Sequence, residues 1–422
     1  MPTFTFFFVS AFCLTTLLQL WLATRHKQHV IAHRELVPTA FASQISLAEH
    51  QKAADYTCAK TNFSYTGIVL HAVLLLVLTL GGGLQLISNF WLNWFNDPLT
   101  HGMTLILSTV ALLSVVEIPF SYYRTFVIEQ HFGFNKMTSG MFFSDLIKHY
   151  VIGLLLGTPL LLCILWLMQQ ADENWWFYTW LIWIGFNLLL LAVYPNWIAP
   201  LFNKFSPLEN DTLKSRVESL LKKCGFESSG LFVMDGSRRS SHGNAYFTGF
   251  GKTKRIVFFD TLLNHLEPAE VEAVLAHELG HFKRRHVLKR IVLSFAMSLL
   301  LLWILGYLMQ QEWFYTGLGV SVAVIPSTAM ALLLFFLIMP VFSFLLQPIS
   351  SLYSRKHEFE ADEYAAQHAS AKDLIKALVK LYQDNAATLT PDPLHSAFYD
   401  SHPPAAIRIA HLNNLQSTEV IA

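Results

Sequence analysis

Apolar residues gather in seven long runs, at 2–24, 66–91, 103–123, 149–168, 175–198, 291–310 and 317–347. A bilayer crossing needs roughly 20 such residues, so each run predicts a membrane helix. The first, second and sixth contain no Asp, Glu, Lys or Arg. The third contains Glu117, close to Pro119. A buried acid in a span costs about 2.5–3.5 kcal/mol on the insertion scale, so Glu117 is expected to face protein or water as a hydrogen-bond partner. The seventh run is longer than a crossing needs, and Pro326 and Pro340 are expected to kink or shorten it. Residues 2–24 lack a basic leader and a clear small-residue cleavage site, and read as a retained membrane helix.

Two polar stretches remain. The chain therefore divides into a membrane region of five spans (1–198), a polar segment (199–290), spans six and seven (291–347) and a second polar segment (348–422). In the first polar segment, 211–224 reads as a helix, and 231–234, 244–248 and 255–259 read as strands. Asp235-Gly236 and the glycines of 249–251 supply the turns. Glu267-Pro268 opens a helix with proline in its first turn. No breaker interrupts that helix before the sixth span. The expected fold class is mainly α: a polytopic membrane protein with about seven spans and a small α+β peptidase-like region. Neither internal repeats nor low-complexity segments are evident.

Composition supports this picture. The chain is 53% hydrophobic and only 14% charged, against about 25% charged in soluble domains. Formal net charge is zero, so no global field attracts nucleic acid, which is excluded as a partner. Cys13, Cys58, Cys163 and Cys224 form no CxxC pair, and neither a disulfide framework nor a cysteine metal site is expected. All 29 Lys and Arg lie in 25–65, 124–148, 199–290 and 348–422. The alternate loops at 92–102, 169–174 and 311–316 hold none. By the positive-inside rule the N-terminus faces out and both polar stretches face the cytoplasm.

The chemistry concentrates in HELGH at 277–281. His277 and His281 are four residues apart, so their rings leave one helical face and can bind one ion. Glu278 beside them can take a proton from water and pass it to a leaving amine. Chance alone gives about 0.03 matches to HExxH in a chain with 18 histidines. His286, five residues further on, is expected to point elsewhere as a juxtamembrane surface residue. A catalytic zinc needs a third protein ligand and an open position. The second polar stretch offers Glu358, Glu360, Asp362 and Glu363 within SRKHEFEADEYA. On a helix Glu358 and Asp362 share a face, with Glu360 turned away. Glu358 could bind the ion while Asp362 buttresses a ligand imidazole from behind. Spacing alone leaves Glu358 and Glu363 both open.

HELGH followed after two spans by SRKHEFEAD resembles the membrane-bound gluzincin peptidases. SYYRTFVIEQHFGFNKMT (121–138), SSHGNAYFTGFGKTKRIVFFDTLL (240–263) and SHPPAAIRI (401–409) resemble the type I CAAX prenyl endopeptidases. The resemblance implies one Zn²⁺ held by His277, His281 and Glu358, with Glu278 as base and Asp362 as the supporting acid. It implies a substrate-binding edge strand at Asn244 and Ala245. It places His402 near the reacting carbonyl and Arg408 against an acid or the substrate. It also implies seven helices around a water-filled chamber, and a peptide or protein substrate of the prenylated CAAX type. The short connection near 310–316 and the STEVIA tail suit a compact bacterial inner-membrane form. In a bacterium without protein prenylation, other membrane-associated peptides would be the substrates. A heat-shock-type quality-control peptidase is the nearest alternative. A transporter is remote, because the candidate ligands lie at the edges of spans rather than at the midplane.

Overall fold

The computed structural model describes residues 2–248, 255–321 and 327–419. Seven of its helices are long and apolar enough to cross a bilayer. The N-terminal half contains α1 (Pro2–Ala32), α2 (Leu47–Leu78), α3 (Gly83–Leu92), α4 (Pro98–Tyr123), α5 (Ser139–Gln170) and α6 (Trp175–Val193). The first polar segment follows with β1 (Phe205–Pro207), α7 (Asp211–Lys223), β2 (Leu231–Met234), β3 (Ala245–Thr248) and β4 (Arg255–Phe259). Next come α8 (Asp260–His265), α9 (Pro268–Lys283), α10 (His286–Leu308), α11 (Glu312–Thr316) and α12 (Thr328–Ser343). The chain ends with α13 (Gln347–His368), α14 (Ala371–Asp384), α15 (Pro393–Tyr399) and α16 (Ala405–Glu419).

Most of these helices extend past the apolar runs by one or more turns. Three expectations need correction. The run 66–91 is not one helix. It ends at Leu78, and three consecutive glycines follow, with Gly82 at φ +74°. That left-handed geometry is cheap only for glycine, and α3 then begins a separate short helix. The seventh span starts at Thr328 rather than at 317, and the helical path reaches His368. The expected kink at Pro326 and the 249–251 turn lie outside the described residues. Pro340 stays inside α12, and a short 3₁₀ turn at Phe344–Leu346 separates α12 from α13. The third correction concerns α9, which is not continuous with the sixth span. Arg284 caps it and Arg285 adopts φ +56°. A non-glycine residue there costs roughly 1–2 kcal/mol.

Only 6% of the most apolar window of the fifth span is buried within the protein, against 50% for the last. The last span is therefore the central one. Around it the apolar core includes Phe8, Leu84, Leu105, Leu165 and Leu334. Glu117 pairs with His71 of α2, Oε1 to Nε2 at 2.5 Å.

The two polar stretches share one second core, running from Leu208 through Phe258 and Leu279 to Leu378 and Leu412. Its four-stranded sheet has the order β1-β2-β4-β3. β2 and β4 run parallel, and β3 pairs antiparallel with β4, Ala245 opposite Phe258. Among the described residues β3 is an edge strand, with one row of backbone groups unpaired by the sheet.

α9 packs closely against α13. At the crossing a Cβ on Gly280 would come within 2.9 Å of Ala361 Cα and 3.1 Å of its carbonyl oxygen. Backbone cannot move aside as a side-chain tip can. Gly280→Ala is therefore expected to push the helices apart, costing about 1–3 kcal/mol of stability. Thermal unfolding should show the loss, and metal titration should show a parallel drop in affinity. Unchanged values for both would contradict the close-contact reading.

Candidate active site

α9 begins with a strong start signal. Glu267 and Glu270 form a reciprocal capping box, and Pro268 occupies the first turn. The helix buries Val271, Leu275 and Leu279 in the polar-side core. This fixes its rotation and turns His277 and His281 toward α13. Their Nε2 atoms lie 3.3 Å apart. Glu358 of α13 meets both, with Oε2 at 3.4 Å from His277 Nε2 and Oε1 at 3.3 Å from His281 Nε2. The three donor groups fall within 4.8 Å of one another. In a tetrahedral zinc site with bonds of about 2.0–2.2 Å, ligand atoms sit about 3.3–3.6 Å apart. Glu358 is 3% exposed, and its Oε2 is buried with no hydrogen-bond partner. Leaving such an oxygen unmatched is costly, and a cation between these donors would satisfy it. The donor set therefore fits a metal. Glu363 turns away, toward His411 at 3.7 Å.

Behind His277, its Nδ1 lies 2.8 Å from Asp362 Oδ1. Asp362 is fully buried and receives Arg408 Nε at 2.8 Å. Arg408 is itself buried and approaches Glu358 Oε2 at 3.6 Å. A proton on Nδ1, donated to Asp362, leaves the Nε2 lone pair facing the other donors. Burial and the Arg408 charge push the His277 pKa down, but the two carboxylates facing its ring, Asp362 and Glu358, outweigh them and raise it to about 9. A metal must displace the second ring proton, so the sign is fixed: affinity rises with pH until that value is passed. Chelator competition is expected to show affinity falling about tenfold per pH unit below about 9. A flat profile over that range would contradict this.

Glu278 is half-buried beside the two imidazoles. His402 is exposed at the mouth of the site, its Nε2 3.5 Å from Glu358 Oε1 and its Nδ1 3.1 Å from Ser401 Oγ. It also lines a cavity of about 610 Å³ with Lys60, Thr61, Tyr382 and Tyr399. Asn244 immediately precedes β3, and its carbonyl accepts from Phe259 N at 3.0 Å. Ala245 is the first residue of β3. β3 packs against α9, the histidine helix.

His286 departs from expectation. It is fully buried, with its Nδ1 3.0 Å from His281 Nδ1. A continuous helix would turn residue i+5 about 140° away from residue i. The break at Arg284 and Arg285 swings it back. The charged run Lys283-Arg284-Arg285 carries neither glycine nor proline, so no residue in it signals the break.

Paired imidazoles on α9 and a carboxylate on α13, the helix that continues the last span, set beside the membrane helices and buttressed from behind, define a membrane-integral metallopeptidase. The comparisons with known proteins concur. Residues 26–204 match the CAAX prenyl protease N-terminal model of five membrane helices, and 207–416 match peptidase family M48. CAAX prenyl protease 1 of Saccharomyces cerevisiae is 32% identical over 415 residues, covering 92% of this chain and 91% of its own. The homologue of Oryza sativa is 34% identical, covering 93% of both chains. The crystal structure of S. mikatae Ste24p superposes with a TM-score of 0.89 at 29% identity, covering 97% of this chain and 99% of that one. The chain belongs to peptidase family M48, among its CAAX prenyl proteases.

Proposed function

We propose that His277, His281 and Glu358 hold one zinc ion, and that the enzyme cuts prenylated CAAX-type peptides at the cytoplasmic face of the membrane. The observation that carries this is the donor cluster, with its unmatched buried carboxylate oxygen and the Asp362–Arg408 pair behind it. A bound zinc ion supplies a Lewis acid for the scissile carbonyl and lowers the pKa of water toward 7. The remaining work falls to the chain. Glu278 takes the proton of the attacking water and delivers it to the leaving amine. His402 donates to the carbonyl oxygen as negative charge develops there. Asp362 holds His277 in the tautomer that presents Nε2, and Arg408 balances the two buried acids. A substrate peptide adds to the free edge of β3 at Asn244 and Ala245, gaining main-chain hydrogen bonds at little cost in sequence preference.

The alternation of basic loops supports a cytoplasmic polar side and an outward N-terminus. The half-exposed His71–Glu117 pair, which lipid would penalise, supports a watery interior chamber.

The test is a pair of otherwise identical CAAX peptides, one farnesylated and one not, incubated with purified protein and read by mass spectrometry. Preferential cleavage of the farnesylated peptide is expected. Equal cleavage of both would favour the quality-control reading, and cleavage of neither would refute the substrate class.

A further inference from the structure

The two histidines on α9 are supported by different machinery. His277 leans on Asp362 and Arg408, but neither of these reaches His281. If His281 presents Nε2 to an ion, its proton sits on Nδ1 and needs an acceptor. The atom there is Nδ1 of His286, at 3.0 Å. It can accept only if the His286 proton lies on Nε2. That nitrogen faces Glu360 Oε2 at 2.9 Å. The donors and acceptors therefore form one consistent chain, from His281 to His286 to Glu360. His286 is also locked in orientation. It is fully buried, and its ring stacks on His357 with centroids 4.0 Å apart and planes at 9°. The left-handed Arg285 aims it, a backbone geometry unfavourable for arginine that is retained beside the site.

We infer that His286 is a positioning residue for His281, anchored in turn by Glu360. It fixes the tautomer and ring angle of the second imidazole, as Asp362 does for the first. This rests on His281 being a metal ligand, and the test separates the two claims.

Full-length protein in nanodiscs is stripped of metal and titrated with Co²⁺ against a competing chelator, with the visible absorption of bound Co²⁺ recorded alongside. His286→Phe keeps a ring to stack on His357 but offers no acceptor. It is expected to lower affinity by about 10–100-fold and to alter the Co²⁺ spectrum. His286→Asn places an amide oxygen near the lost Nδ1 and should restore most of the affinity. Glu360→Leu should weaken binding several-fold, while Glu360→Gln, which still accepts, should not. Wild-type affinity in both His286→Phe and Glu360→Leu would overturn the inference, as would equal losses in His286→Asn and His286→Phe. If His286→Phe does not fold, the two Glu360 variants decide alone, because that side chain is 26% exposed and outside the core. His281→Ala is the control. If it binds Co²⁺ like the wild type, the ligand assignment itself fails. If it does not, and His286→Phe still binds fully, only the positioning role falls.

Discussion

Glu278→Gln is expected to end peptide cleavage while leaving the metal in place. The amide keeps the size and shape of the carboxylate but cannot take a proton from water. Glu278 stands outside the three-residue donor cluster, so its change leaves the ligands intact. General-base catalysis contributes about 10²–10⁴-fold, and the loss in kcat should fall at least in that range. The measurement is turnover of the farnesylated peptide beside elemental analysis of the same sample. Metal retained with turnover lost is the expected pair. Turnover retained would remove Glu278 from the mechanism.

Arg408→Leu should produce the largest loss of stability. The guanidinium is buried against Asp362 and lies near Glu358, and both acids are buried too. Removing it leaves two carboxylates without their balancing charge in a dry environment. Breaking one side of such a pair costs about 3–5 kcal/mol. The drop in unfolding temperature should be greater for metal-free protein, because a bound cation takes over part of the compensation. No drop in either state would mean that Arg408 is a peripheral group. A loss that ignores metal would mean that its charge does not act on the donor site.

Much of this was legible before any coordinates. Span count followed from run length, because the bilayer sets a minimum that soluble cores do not impose. The pairing of His277 with His281 followed from helical periodicity. The shared face of Glu358 and Asp362 follows in the same way, but periodicity does not choose between Glu358 and Glu363; that depends on the rotation of α13, which turns Glu358 toward the histidines. What stayed hidden depended on where helices stop. The three glycines between α2 and α3 lie inside an apolar run long enough to be one span. Arg285 breaks α9 without the residue that usually marks a left-handed turn, and this carries His286 inward rather than to the surface. The link from Asp362 to Arg408 joins residues 46 apart in sequence. Only the packing of α16 against α13 brings them together.

The central claim is that one ion sits between α9 and α13. Crystals of metal-loaded protein, with anomalous differences collected at the zinc edge, test it most directly. One peak per chain, bounded by His277, His281 and Glu358, is the expected map. No peak there, or a peak held by other residues, would contradict it.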